Sequence, residues 1–173
     1  MSGFWSKFFK SSPSSAASNT PAGDRPADTS LRDPVTGLYN RKHLIQRLSA
    51  HIARCERSRE RMAVILWDID GFIDFNNRFG QEEGDLFLKK VAAVVMHSLR
   101  SYDEAFRSGG DDFCAVLIPA DETVAQEVTE RVREAVSKDL FQDNAEYAGR
   151  KFSISCGLSF YPGSQRGPRS PSA

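Results

Sequence analysis

The segment Ala63-Val-Ile-Leu-Trp67 is the feature that most constrains what this chain can fold into. Five successive apolar, β-prone residues with no polar alternation leave no side of a strand for water, so they read as a buried central strand. Asp68-Ile-Asp-Gly71 follows at once. Two carboxylates therefore stand at the carboxyl edge of that strand, where open sheets bind ligands.

The remaining apolar pattern supplies what surrounds the strand. Leu44, Ile45, Leu48, Ile52 and Cys55 share one helical face, in a helix expected to end near Arg57. Leu88, Val91, Ala92, Val95 and Leu99 make a second stripe, and Val124, Val128, Val132, Ala135 and Val136 a third. Glu104 to Ser108 and Phe113 to Ile118 flank Gly109-Gly-Asp-Asp112, which predicts a hairpin turning at the glycines. Phe152, Ile154, Cys156, Leu158 and Phe160 alternate with Ser153, Ser155, Gly157 and Ser159, a strand with one apolar face. The order helix, strand, helix, hairpin, helix, strand predicts a mixed sheet surrounded by helices, of α/β or α+β class.

At 173 residues the chain has the size of one domain, and its 23 basic and 23 acidic residues cancel. Without a charge excess nothing general draws it to nucleic acid, so an anion site has to be built locally. The longest apolar run, Val91 to Met96, is too short to cross a bilayer. Residues 31–162 form the expected domain. Residues 11–30, rich in Ser, Ala, Pro and Thr, read as a flexible linker, and 163–173 as a loose tail. In residues 1–10, Phe4, Trp5, Phe8 and Phe9 lie on one face of a short amphipathic helix beside two lysines. Such a segment either anchors to a membrane surface or a protein partner, or packs on its own domain. Cys55, Cys114 and Cys156 are odd in number and set among apolar residues, so they read as buried thiols in a reducing compartment. The expected location is cytoplasmic, peripheral at the inner membrane if the aromatic segment serves as an anchor.

Asp68 and Asp70 after a buried strand suit Mg²⁺, which takes a few hard oxygen ligands and leaves room for substrate phosphates. Asp111 or Asp112, at the hairpin tip, would supply a further ligand. The competing reading makes Asp68 a helix cap and Asp111 a turn residue.

Together these segments resemble a known family. Asp33-Pro-Val-Thr-Gly-Leu-Tyr-Asn-Arg41 is similar to the D-x-L-T-G-L-x-N-R motif that opens GGDEF domains, the diguanylate cyclases. Asp68-Ile-Asp-Gly-Phe72 with Asn76, Gly80, Gly84 and Asp85 resembles the stretch D-x-D-x-F-K-x-x-N-D-x-x-G-H-x-x-G-D, Arg107-Ser-Gly-Gly-Asp-Asp-Phe113 the signature hairpin, and Phe152 to Gly157 the closing strand. The resemblance implies a palm-like nucleotidyl cyclase fold, in which two domains face each other as a homodimer and join two GTP into cyclic di-GMP with release of pyrophosphate. It implies that Asp68, the Ile69 carbonyl and Asp111 hold Mg²⁺, or Mn²⁺ in its place. Asp111, with Asp112 beside it, forms the catalytic pair, Asp111 drawing the proton from the attacking 3′-hydroxyl. Asn76 and Asp85 would read the guanine edge, with Gln81, Gly109 and Gly110 completing the substrate set. Arg100-Ser-Tyr-Asp103 matches the R-x-x-D site through which the family's product inhibits, with a surface ion pair as the plainer reading.

The match has departures. Ile73 stands at the family's lysine position, Asn77 replaces an aspartate, Gln81 a histidine, and Asp112 the usual glutamate. Residues 163–173 do not show the helix pattern that the family continues with, so an apolar sheet face is expected to stay open unless Phe4, Trp5, Phe8 and Phe9 cover it. Two functions follow: an Mg²⁺-dependent diguanylate cyclase, or a degenerate domain that senses cyclic di-GMP through Arg100 and Asp103, or GTP, without turnover. A third reading, an interaction domain tethered by its aromatic N-terminus, needs neither ligand.

Overall fold

The computed structural model describes residues 29–138 and 152–162. The aromatic segment with Phe4, Trp5, Phe8 and Phe9, the 11–30 segment as far as residue 28, and the 163–173 tail lie outside the described residues. The elements are β1 (Tyr39–Asn40), α1 (Arg41–Ser58), β2 (Met62–Ile69), α2 (Phe72–Phe79), α3 (Gln81–Ser98), β3 (Glu104–Gly109), β4 (Asp112–Leu117), α4 (Glu122–Lys138) and β5 (Ile154–Tyr161). They build one mixed sheet in the order β1-β3-β4-β2-β5, with β1 parallel to β3 and the other neighbours antiparallel. The class is the α/β arrangement read from the pattern.

Strand β2 is buried along almost its whole length because the two-residue period splits it between two cores. Ala63, Ile65, Trp67 and Ile69 face a core shared with Phe72 and Phe75 of α2, Phe87, Leu88, Val91 and Val95 of α3, and Val128, Val132 and Val136 of α4. Met62, Val64 and Leu66 face the other core, with Leu44 and Cys55 of α1, Phe106 of β3, and Cys114 and Val116 of β4. Among the described residues the sheet thus carries one helix on one face and three on the other.

Helix α1 starts where the Asn40 side chain accepts the His43 N–H at 3.1 Å. It ends where Arg59, at φ 58°, donates its N–H back to the Cys55 carbonyl. Its polar edge is tied to β3. Arg47 Nε donates to both Glu104 oxygens at 2.8 and 3.1 Å, and His51 Nε2 lies 3.0 Å from Glu104 Oε2. Burial alone would raise the Glu104 carboxyl, but the bonds from Arg47 and His51 outweigh it and hold the group below its ordinary value.

Three expectations change. The segment Phe72–Phe79, given no helix in the sequence reading, forms α2, its Phe72, Phe75 and Phe79 recurring on one face. Cys55 and Cys114 are buried as read, but Cys156 is exposed. Opposite Trp67 in register, it lies on the three-helix face, yet β5 is an edge strand and the described helices leave that part of its face open. The central strand is also longer than its apolar run by one residue at the start and two at the end, which carries Asp68 into the ladder.

Phe113, fully buried on β4 beside the hairpin tip, ties the core to the site. Phe113→Ala is expected to cost about 3–5 kcal/mol in chemical denaturation. Ile73→Ala, at a side chain 72% exposed, should move the midpoint by less than about 0.5 kcal/mol.

Candidate functional site

Two strand ends and one helix start form an open cleft of about 450 Å³, lined by Asp68, Ile69, Asp70, Gly71, Phe72, Ile73, Asp74 and Asp111. Of the residues expected to hold a metal, Asp68, Ile69 and Asp111 therefore share one cavity. Among the described residues none that lines the cleft is basic. Asp68 and Asp112 are direct cross-strand partners on β2 and β4. The register that puts Leu66 and Cys114 in the α1-side core puts both carboxylates on that same face two residues on. Among the described residues no group of three or more His, Cys, Asp or Glu side chains has metal-binding spacing. The aspartates that line the cleft, with the backbone at Ile69, offer hard oxygens, a donor set that fits Mg²⁺.

Asp70, which also lines the cleft, is fastened to β5. Its carboxylate accepts the Ser153 hydroxyl at 2.6 Å and the Ser155 hydroxyl at 2.7 Å, while its N–H donates to the Ser153 carbonyl at 3.0 Å. This clamp fastens the turn after β2 to the start of β5. Both carboxylate oxygens of Asp70 are engaged.

The hairpin tip is set by its glycines. Gly109 pairs with Asp112, leaving Gly110 and Asp111 as the two central turn residues. Gly110, the first of them, has φ 53°, and Gly109 has φ 137°, conformations that residues with a Cβ rarely adopt. Arg107 then holds the tip from below. Its Nε and Nη2 donate to the Gly110 carbonyl at 2.9 and 2.6 Å, and its Nη1 reaches the Asp33 carboxylate at 2.9 and 3.2 Å. Asp33 also accepts the Thr36 N–H and hydroxyl at 2.8 and 2.6 Å. Burial raises the Asp33 carboxyl, but these bonds outweigh burial and leave it below its usual 3.8. Sequence reading noted Asp33 and Arg107 only as motif members. Nothing in a separation of 74 residues announces their contact.

Asn76 and Asp85 meet at the α2–α3 junction. Gly80, at φ 89°, breaks the helix, and its N–H returns to the Asn76 carbonyl at 2.9 Å. Helix α3 then turns back so that its buried Gly84 lies against the Asn76 side chain, with Asp85 next in sequence. Both candidate guanine contacts are half-buried, and Gln81 is exposed at the first position of α3. Asn76, Asp85, Gln81, Gly109 and Gly110 do not line the acidic cleft itself. Asn76 stands one helical turn past Phe72, which does line it, a rise of about 6 Å.

The Arg100–Asp103 segment is a closed turn rather than the surface ion pair of the plainer reading. The Arg100 N–H donates to Asp103 Oδ2 at 3.0 Å, and the Asp103 N–H to the Arg100 carbonyl at 3.1 Å. The guanidinium turns to Tyr102, donating to its hydroxyl at 2.9 Å. Burial raises the Asp103 carboxyl above its ordinary value despite the Arg100 bond. Arg131 of α4 reaches the neighbouring Ser98 carbonyl at 3.0 Å, a second arginine at this turn that the sequence pattern did not single out.

Comparison with known proteins agrees with this geometry. Residues 30–170 match the family described as "Diguanylate cyclase, GGDEF domain". Diguanylate cyclase DgcS of Shewanella oneidensis is 33% identical over 126 residues, 73% of this chain and 40% of DgcS. Diguanylate cyclase DgcP of Pseudomonas aeruginosa is 36% identical over 140 residues, 79% of this chain and 20% of DgcP. The chain thus spans less than half the length of these curated relatives. Among solved structures, the GGDEF domain of DgcB from Caulobacter crescentus, in complex with c-di-GMP, superposes with a TM-score of 0.67 at 25% identity, covering 80% of each chain.

The Arg107 contacts generate a stability prediction. Arg107→Met should cost about 2–3 kcal/mol, the range for bonds to charged partners. Because the folded-state Asp33 pKa is depressed, its contribution is present above 3.8 and fades as pH falls through the lowered value. Urea unfolding followed from pH 7 to pH 2 should therefore show a wild-type acid loss that is smaller in Arg107→Met.

Proposed function

Because the chain belongs to the GGDEF domain family of diguanylate cyclases, we propose that it condenses two molecules of GTP into cyclic di-GMP with release of pyrophosphate. The observation that carries this reading is the shared cleft of Asp68, Ile69 and Asp111 on adjacent strand ends. Asp68, Asp111 and the Ile69 carbonyl are the residues that would hold Mg²⁺ or Mn²⁺, whose charge when bound polarises the attacking oxygen and offsets the charge on the leaving pyrophosphate.

The chain's own residues do the rest. Asp111, at the turn held by Arg107, takes the proton of the 3′-hydroxyl as its oxygen bonds to the α-phosphorus of the second GTP, and Asp112 stays beside it as the second acid of the pair. The backbone at Gly109 and Gly110 allows close approach of phosphate. Asn76 and Asp85, with Gln81 at the rim, address the guanine, the carboxylate accepting its N1–H and N2–H donors and the amide meeting its acceptors. One domain holds one GTP, so the reaction calls for a homodimer with two sites facing each other. Ile73 lines the cleft where the family carries a lysine, so the cation and backbone N–H groups would carry more of the phosphate charge there.

A second reading is favoured by Ile73 and by the Arg100–Asp103 turn: a domain that binds cyclic di-GMP or GTP without turnover. The guanidinium fork suits phosphate and guanine acceptors, and the carboxylate suits guanine N–H donors.

The deciding experiment incubates the purified chain with GTP and Mg²⁺ and identifies products by mass. Cyclic di-GMP formed by wild type and lost at least a hundredfold in Asp111→Ala supports the cyclase. Saturable cyclic di-GMP binding lost in Arg100→Ala, with no product from GTP in wild type, supports the sensor and overturns the cyclase.

A further inference from the structure

Gly84 lies inside helix α3, where glycine is a poorer helix former than alanine. Its backbone conformation does not demand glycine, since its φ is outside the left-handed region. Its surroundings do. A Cβ there would overlap Asn76 Oδ1 and come within 2.9 Å of Asn76 Cγ, closer than real Cβ atoms approach. The Gly84 N–H is already given to the Gly80 carbonyl at 3.2 Å, so it does not serve the amide.

Asn76 Oδ1 is buried with no hydrogen-bond partner among the described residues. It faces the Cα hydrogens of Gly84, weak donors suited to an oxygen and unsuited to an N–H group. The nitrogen sits farther off, 3.4 Å from where the Cβ would be. Turned this way, the carboxamide keeps its acceptor inside and has only N–H donors left for a nucleobase. Guanine offers acceptors at O6 and N7. Adenine carries an amino donor at position 6, which would meet a donor, and flipping the amide to answer it would bury the NH₂ against Gly84.

We infer that Gly84 is a specificity-determining positioning residue: by lacking a Cβ it locks the Asn76 carboxamide oxygen inward, so that the site accepts a guanine and rejects an adenine nucleotide. The inference rests on the reading of Asn76 and Asp85 as guanine contacts. It goes beyond that reading by assigning the discrimination to the contact between two helices.

The test uses the full chain with Mg²⁺ and 3′-deoxy-GTP or 3′-deoxy-ATP, which lack the attacking hydroxyl and are not consumed. Calorimetry is run on wild type, Gly84→Ala, Asn76→Ala, Asp85→Ala and the Gly84→Ala/Asn76→Ala double variant. Gly84→Ala is expected to weaken the guanine analogue roughly tenfold, the loss of about one hydrogen bond. The guanine-over-adenine ratio should fall with it, while the thermal midpoint holds or rises with the better helix former. In the Asn76→Ala background the same substitution should change nothing further, a coupling that a general structural role would not produce. Wild-type affinity and discrimination in Gly84→Ala, while Asn76→Ala and Asp85→Ala lose the guanine analogue, overturns the inference alone. Equal losses in both backgrounds overturn it as well. Unchanged binding in Asn76→Ala and Asp85→Ala overturns the guanine-contact reading and this inference with it. If Gly84→Ala does not fold, Asn76→Asp replaces it: an acceptor-only side chain should abolish the guanine preference, and a retained preference overturns the inference.

Discussion

Every other part of this molecule is placed by the double burial of β2. The strand is hydrogen-bonded to β4 on one side and β5 on the other, and its alternate residues enter two separate cores. A strand so enclosed cannot slip by one residue without exchanging the faces of all its apolar side chains, so its register is fixed. That register decides where the polar residues begin. Asp68 is the first position at which the strand runs out of core, and it arrives there opposite Asp112.

From that point the architecture is an exercise in holding acidic groups in place. Asp70 is fastened by the hydroxyls of Ser153 and Ser155 at the start of β5, and the hairpin tip by four guanidinium bonds from Arg107, shared between the Gly110 carbonyl and Asp33. The other end of β3 is fixed in the same way, through Glu104 to Arg47 and His51 of α1. A strand anchored at both ends by charged groups from other elements cannot easily move the turn that follows it. Preorganisation of this kind is what a carboxylate site for a divalent cation and phosphates needs, because catalysis there is mainly positioning.

Much of this was legible in the sequence where periodicity speaks and little where it does not. Helices appear where the stripes at Leu44, Leu88 and Val128 placed them, the first ending one residue past its expected Arg57, and the hairpin turns around Gly109 as read. Helix α2 escaped notice because eight residues with three phenylalanines give too short a window, beside an Asp-Ile-Asp-Gly segment that reads as a loop. Strand β1 has two residues, and two residues carry no period. Cys156 is exposed because alternation marks a face without saying whether anything covers it. At the site, motif order put Asp68 and Asp111 in one place, and the structure lines one cleft with both. The Asp33–Arg107 and Asp70–Ser153 contacts join residues 74 and 83 apart and depend on the finished sheet. The fit of Gly84 against Asn76 is a matter of tenths of an ångström, which no pattern of residue types encodes.

The departures from local preference cluster instead of scattering. Between Asp68 and Asp85 stand a carboxylate set across from another, an exposed isoleucine, a positive-φ glycine at a helix break, a buried amide oxygen without a partner, and a glycine inside a helix. The hairpin tip adds two strained-region glycines. Sequences that specify one structure keep propensity, packing and polar satisfaction in agreement, and break that agreement where function requires it. Here the breaks follow one path, from the end of β2 through α2 to the first turn of α3, joining the acidic cleft to the Asn76–Asp85 junction. That continuity is what the proposed reading needs, in which phosphates would lie at one end and the base at the other, and it sets these features apart from unrelated irregularities.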